Sequence, residues 1–334
     1  MAKTKKHRRR DGYWTYYHLA HTQEKDSLVA NIVSLVNENK PPVKPKRTRR
    51  GRKPVHSWEK LVCICLIMVI LGLTFRDMQN DVPSLNLPWN SSEPYPDHST
   101  IHKAFKKIDE DYLDLILEKV AYLCIKEASW KNGVLGADSS GVETDRYEKS
   151  MRPHKKEGRF AEIKQQIWLK YHIVAILDYL IILRAKITYS NCSDSPMLRG
   201  LLKKFPKMNG SIFNADRGYD ADANFKRVFD LLMTPNIKQR ELQKGPKGVG
   251  HKRLQFRMKA KKMFDLGIYR YRGMIEAVFG AEETDNHNLY TKFRIKGNQE
   301  RWGKILAIGW NLKVLNRLQS AKSLGIELKP IIRN

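Results

Sequence analysis

Asp138, Asp216 and Glu276 are three carboxylates in an order that suits divalent-metal chemistry on a phosphodiester. Asp138 closes the apolar run Val134-Leu135-Gly136-Ala137, and Asp216 closes Ile212-Phe213-Asn214-Ala215 ahead of Arg217-Gly218-Tyr219. Glu276 follows Tyr269-Arg270-Tyr271-Arg272-Gly273-Met274-Ile275. Each has an ordinary reading alone: a turn at Asp138, an Asx-turn at Asp216, a helix-surface glutamate at 276. Taken together in a chain this basic, they call for a cation between them. Three carboxylates can hold two divalent ions, one activating the attacking oxygen and one stabilising the leaving oxygen. Tyr269, Arg272 and Glu276 are spaced three and four apart, which places them on one face of an expected helix. A guanidinium and a phenol beside such a carboxylate can hold a phosphate and the strand next to it.

The chain of 334 residues carries 62 Lys+Arg against 35 Asp+Glu, a net charge of +27. That excess repels itself unless a polyanion is the partner, which points to nucleic acid. The charge is also clustered. Lys44, Lys46, Arg47, Arg49, Arg50, Arg52 and Lys53 form a dense run after Pro41-Pro42, expected to be an extended DNA-seeking arm. Within it, Arg49-Arg50-Gly51-Arg52-Lys53-Pro54 resembles a minor-groove AT-hook, with plain phosphate contact the simpler role. No RNA-recognition aromatic motif is evident, and an RNA-binding reading leaves the carboxylates without a task. The four cysteines show no C-x-x-C spacing, so neither a zinc site nor a disulfide framework is expected, and a reducing cytoplasmic setting fits. The most apolar stretch, Leu61 to Phe75, is internal and shorter than the roughly 20 residues that span a bilayer. It is read as a buried helix, with no membrane partner.

The elements that must position the carboxylates divide the chain into four parts. Residues 1–57 read as a basic arm, 58–130 as a helical DNA-binding domain, 131–320 as a catalytic α/β domain and 321–334 as a tail. The helical region has short helices, turns and a basic helix near Ser99–Lys107, a pattern shared by helix-turn-helix readers and plain bundles. Beyond it, a short strand is expected over Val134–Asp138. Ile167–Leu177 and Leu180–Tyr189 form an expected hairpin turning at Asp178-Tyr179. A helix at Pro196–Phe205, a strand at Ser211–Asp216, a helix at Ala221–Leu232 and a last strand at Leu232–Ile237 follow. Lys238–Lys262 reads as a basic loop, and Phe264–Phe279 and Arg301–Leu318 as helices. The expected fold is α/β and ribonuclease-H-like: a mixed sheet flanked by helices, preceded by a basic helical DNA-binding region.

These motifs resemble the DDE transposases of prokaryotic insertion sequences in the IS-four/IS-five supergroup. The family signature is Tyr, two residues, Arg, three residues, Glu, six residues, Lys; Tyr269, Arg272 and Glu276 match it, and Glu283 stands at the lysine place. Lys292 and Arg294 are the nearby substitutes. Asp216-Arg217-Gly218-Tyr219-Asp220 is similar to the second-aspartate block and Gly136-Ala137-Asp138-Ser139-Ser140-Gly141 to the first. Asp216 and Glu276 lie too close in sequence to contain the large β-strand insertion of some relatives. The resemblance implies DNA nicking at element ends and joining of the freed 3′-hydroxyl to target DNA. It implies two Mg²⁺ or Mn²⁺ ions per active site held by Asp138, Asp216 and Glu276, with Tyr269 and Arg272 on DNA. The implied partners are double-stranded DNA, both terminal inverted repeats and target, and a second copy in a synaptic homodimer, at the nucleoid. The competing reading is a catalytically inactive, transposase-derived DNA-binding regulator.

Overall fold

The computed structural model describes residues 13–22, 24–42, 54–145, 147–153, 160–241, 254–285, 289–328 and 330–332. The dense basic run Lys44–Lys53 therefore lies outside the described residues. Six α-helices come first among the described residues: α1 (Tyr13–Thr22), α2 (Glu24–Glu38), α3 (Trp58–Ile70), α4 (Phe75–Asp81), α5 (His98–Phe105) and α6 (Glu110–Glu127). Local chemistry sets their ends. The Ser57 hydroxyl accepts the Lys60 N–H and starts α3. Gly72, at φ +67°, stops it in a conformation that costs other residues strain. The apolar run is thus helix only to Ile70, and Phe75 opens α4, which begins with a reciprocal Thr74–Asp77 capping box. Asp97 caps α5, accepting the Thr100 N–H at 2.7 Å. Among the described residues no single helix is long and apolar enough to cross a membrane.

The mixed sheet runs β5 (Ile181–Tyr189), β4 (Leu169–Ile176), β1 (Val134–Thr144), β6 (Ile212–Ala215), β7 (Thr234–Ile237), with β8 (Tyr290–Thr291) paired to the far end of β1. β1, β4 and β5 are antiparallel; β1, β6 and β7 are parallel. Three antiparallel strands followed by two parallel ones, flanked by helices, make this a ribonuclease-H-like fold. The hairpin turns as expected, with Leu180 taking φ +57°. Three expectations are corrected, and one element is unforeseen. β1 continues past Asp138 to Thr144, because β4 pairs with it through Val142–Leu169. A separate two-stranded ribbon, β2 (Tyr147–Pro153) with β3 (Phe160–Gln166), is too polar to announce itself by apolar alternation. β7 is not the last strand. The basic loop contains helix α9 (Gln255–Lys261).

The remaining helices are α7 (Asp194–Leu201), α8 (Asp222–Asp230), α10 (Leu266–Tyr269), α11 (Glu276–Asp285) and the long α12 (Lys296–Ser323). α12 packs against β5 and α6 at close range. A Cβ on Gly303 would meet Ile187 Cγ1 at 2.5 Å, so only glycine lets the helix seat on the strand. Asn311 locks the contact by accepting the Ile182 N–H at 2.8 Å and donating to its carbonyl at 2.7 Å. One continuous core, from Ile32 through Ile64 and Leu113 to Ile173 and Phe213, joins the amino-terminal helices to the sheet.

Candidate active site

Two carboxylates are placed by strand register alone. β1 and β6 run parallel with Ala137 beside Ala215, so the next residues on the two strands are Asp138 and Asp216. Both follow directly on buried apolar runs; Ala137 and Ala215 are fully buried, and the aspartates are half-buried. Asp216 does form an Asx-turn, its Oδ1 accepting the Gly218 N–H at 2.7 Å. That turn caps a short 3-10 turn, Arg217–Tyr219. The ordinary reading of Asp216 as an Asx-turn holds.

The third carboxylate arrives by a less regular path. The helix expected over Phe264–Phe279 is broken into α10, a 3-10 stretch over Arg270–Ile275, and α11, which begins at Glu276. Gly273 inside this stretch, the Asp265 cap at its start and tertiary ties override helical continuity. Those ties are buried asparagines. Asn214 on β6 donates to the Ile268 carbonyl at 2.9 Å. Asn236 on β7 donates to the Asp265 carbonyl at 3.0 Å and accepts the Asp265 N–H at 2.8 Å. The two asparagines bond each other at 2.8 Å. The segment carrying Tyr269, Arg272 and Glu276 is thereby bolted to the strands beside Asp216.

Arg272 joins the carboxylates. Its Nη1 lies 2.7 Å from Asp138 Oδ2 and its Nη2 lies 3.0 Å from Glu276 Oε1. One guanidinium fork thus bridges the first and third acidic residues. Burial raises the Asp138 carboxyl above its usual range; the Ser139 N–H and Arg272 oppose this, and the charges of Asp216 and Glu276 reinforce it. Tyr269 is also raised, chiefly by burial, and bonds Arg272. The Lys238 ammonium stands 5.5 Å from the Tyr269 ring centre.

Four further groups have no role assigned from the sequence. Tyr219 is buried among Asp138, Asp194 and Asp216, which with burial drive its phenol strongly upward. Asp194 reaches Ser139, Lys170 and His172. Asp220 makes a buried bidentate pair with Arg257 at 2.7 and 2.9 Å, tying α9 to the turn after Asp216. Asn214 and Asn236, embedded in apolar strands, are the available signal for buried polar ties. At the lysine place, Glu283 is exposed; Lys292 bears on Asp77, and Arg294 Nη2 lies 3.9 Å from Asp145.

Among the described residues no three His, Cys, Asp or Glu side chains stand close enough together to hold a metal ion. The donor chemistry nevertheless suits a hard divalent cation. All three acidic groups offer oxygen ligands, and a cation, Arg272, lies between two of them.

Known proteins place the chain in a family. The family model described as "Transposase DDE domain" matches residues 130–310. An uncharacterized protein of Aquifex aeolicus (strain VF5) is 22% identical over 281 residues, 80% of this chain and 82% of that one. Among solved structures, a piggyBac transposase synaptic complex with hairpin DNA is 8% identical, with TM-score 0.39, covering 95% of this chain and 77% of that one. A Mos1 transposase paired-end complex with the left transposon end is 10% identical, with TM-score 0.21, covering 74% and 84%. The matched family model spans more than half the chain and all three carboxylates: this protein belongs to the DDE-domain transposase family.

Proposed function

We propose that the protein is an active transposase that binds the terminal repeats of its element, cuts the DNA there and joins the 3′ end to a target. The observation that carries this reading is the strand register that makes Asp138 and Asp216 the next residues on paired strands, with Arg272 bridging Asp138 and Glu276. A basic surplus of +27 supplies the attraction to DNA.

Asp138, Asp216 and Glu276 would hold two Mg²⁺ or Mn²⁺ ions. When bound, such ions activate the attacking water or 3′-hydroxyl and stabilise the leaving oxygen. Asp138 and Asp216 are rigid because they continue paired strands. Glu276 adjusts more freely, its side chain being 63% exposed. Arg272 offsets the negative charge of the carboxylates and turns its remaining N–H groups to the scissile phosphate when DNA arrives. Tyr269 lies against the flanking strand. The buried Tyr219 floors the site and keeps bulk water from beneath the acids. Lys44, Lys46, Arg47, Arg49, Arg50, Arg52 and Lys53 contribute sequence-independent phosphate contacts. Two copies paired across two element ends complete the reaction, at the nucleoid.

The test is excision of the element from its own flanking DNA by wild type, Asp138→Asn, Asp216→Asn and Glu276→Gln. Excision by wild type and its loss in all three variants supports the reading. Specific end binding without excision by wild type replaces it with the inactive regulatory protein.

A further inference from the structure

Asp194 is the first residue of α7 and sits on the wall of the site, far in sequence from the three carboxylates. Its Oδ1 is fully engaged. Ser139 Oγ donates to it at 3.2 Å and Lys170 Nζ at 3.1 Å. His172 Nδ1 lies 3.8 Å away. Lys170 and His172 alternate on β4, opposite Gly141 and Ser139 of β1, so both reach the same face. His172 is completely buried, and its Nδ1 has no hydrogen-bond partner; its other nitrogen meets Thr188 at 2.8 Å. A buried ring held in this way has Asp194 as its polar neighbour on the site side.

The other carboxylate oxygen and Asp216 Oδ1 both face Gly218. A methyl on Gly218 would lie 2.9 Å from Asp216 Oδ1 and 3.6 Å from Asp194 Oδ2. Glycine at 218 therefore keeps the space between the two carboxylates clear. α7 is itself pinned to this turn, since Asn224 donates to Ser195 Oγ at 3.0 Å and to the Tyr219 carbonyl at 2.8 Å. Ser139, held by Asp194 through its hydroxyl, gives its own N–H to Asp138 Oδ1 at 2.9 Å.

We propose that Asp194 is a fourth acidic residue of the divalent-ion site, a positioning residue that fixes Ser139 beside Asp138 and adds negative charge beside Asp216. Lys170 is its counter-charge and moderates that field. The proposal rests on the transposase reading. Partners that orient a metal's own ligands commonly contribute ten- to a hundredfold in affinity, and the expected effect here is at the low end.

The experiment is a Mn²⁺ titration of the full chain without DNA, with free Mn²⁺ read by electron paramagnetic resonance. Asp194→Asn, which preserves size and removes charge, weakens Mn²⁺ binding about tenfold. Ser139→Ala weakens it less. Lys170→Met, which unmasks the Asp194 charge, tightens it. Opposite signs at 194 and 170 separate an electrostatic role from a structural one. Wild-type affinity in Asp194→Asn, or equal weakening by Asp194→Asn and Lys170→Met, overturns the proposal while leaving the transposase reading intact. Failure of wild type to bind Mn²⁺ at all overturns the metal reading and the proposal with it.

Discussion

Arg272 draws together acidic groups that would otherwise repel one another, and this makes its removal a measurable exchange between two cations. Consider Arg272→Met, which keeps most of the stem and deletes the fork. The arm to Glu276 reaches an exposed carboxylate and is worth about 0.3–0.5 kcal/mol. The arm to Asp138 is different: the two side chains are 23% and 16% exposed, with 2.7 Å between them. Removing a charge-assisted bond there leaves Asp138 facing Asp216 and Glu276 uncompensated, at about 1.5–3 kcal/mol. The sum is about 2–3.5 kcal/mol of lost stability at neutral pH in the presence of EDTA. For a domain of this size that lowers Tm by about 4–14 °C. Saturating Mn²⁺ supplies the missing positive charge, so the gap between variant and wild type shrinks to under about 0.5 kcal/mol, the exposed arm alone. The assay is thermal unfolding of both proteins in EDTA and in Mn²⁺. An equal loss under both conditions refutes the reasoning, because Arg272 would then be a packing residue rather than a place-holder for a cation.

Three more outcomes can be checked on the same material. Glu110 is raised to about 7, by burial first and then by its hydrogen bond and repulsion with Glu300. A carboxyl raised on folding stabilises below the usual glutamate range and loses that contribution as pH climbs through about 7. Glu110→Gln is therefore expected to match wild type near pH 4 and exceed it by about 1 kcal/mol at pH 8, read from urea midpoints; equal midpoints at both pH values would remove the effect. Asn236→Ala strips three buried hydrogen bonds, is expected to cost about 2–3 kcal/mol, and lowers DNA cleavage even at temperatures where the variant is fully folded; full activity there would mean that Asp265–Glu276 positions itself. Neutralising the seven cations of Lys44–Lys53 is expected to flatten the salt dependence of DNA affinity, roughly 0.9 in log–log slope for each phosphate that the arm ceases to neutralise, and an unchanged slope would show that the arm does not touch DNA.

Asp138 and Asp216 are legible because each ends a short apolar run, and in a sheet such runs stop where side chains emerge from the core. Register does the rest: two parallel strands paired at Ala137 and Ala215 bring the next residues together with no other information. The β2–β3 ribbon is not legible, since Tyr147–Pro153 and Phe160–Gln166 lack the alternation that a half-buried strand shows. Asp194 is invisible for another reason. Its neighbours Ser139, Lys170 and His172 come from two strands, so nothing near position 194 marks it.

The segment around Glu276 shows how a correct expectation of proximity can rest on the wrong backbone geometry. Spacing of three and four selects Tyr269, Arg272 and Glu276 as neighbours on one helix. They are neighbours, yet the backbone between them is a 3-10 stretch, with α11 starting only at Glu276. Residues three apart eclipse in a 3-10 helix, which keeps Tyr269 beside Arg272, and the Arg272–Glu276 pair closes at 3.0 Å where α11 begins, so the pattern survives the change. What it cannot convey is why the chain tolerates the break. The answer lies in Asn214 and Asn236, which replace helix-internal regularity with bonds to Ile268 and Asp265 from the strands beside Asp216. Two carboxylates thus inherit their positions from the sheet, and the third inherits its position from asparagines on that same sheet. All three are referred to β6 and its two neighbours, and a disturbance of β6 is expected to reach the whole triad at once.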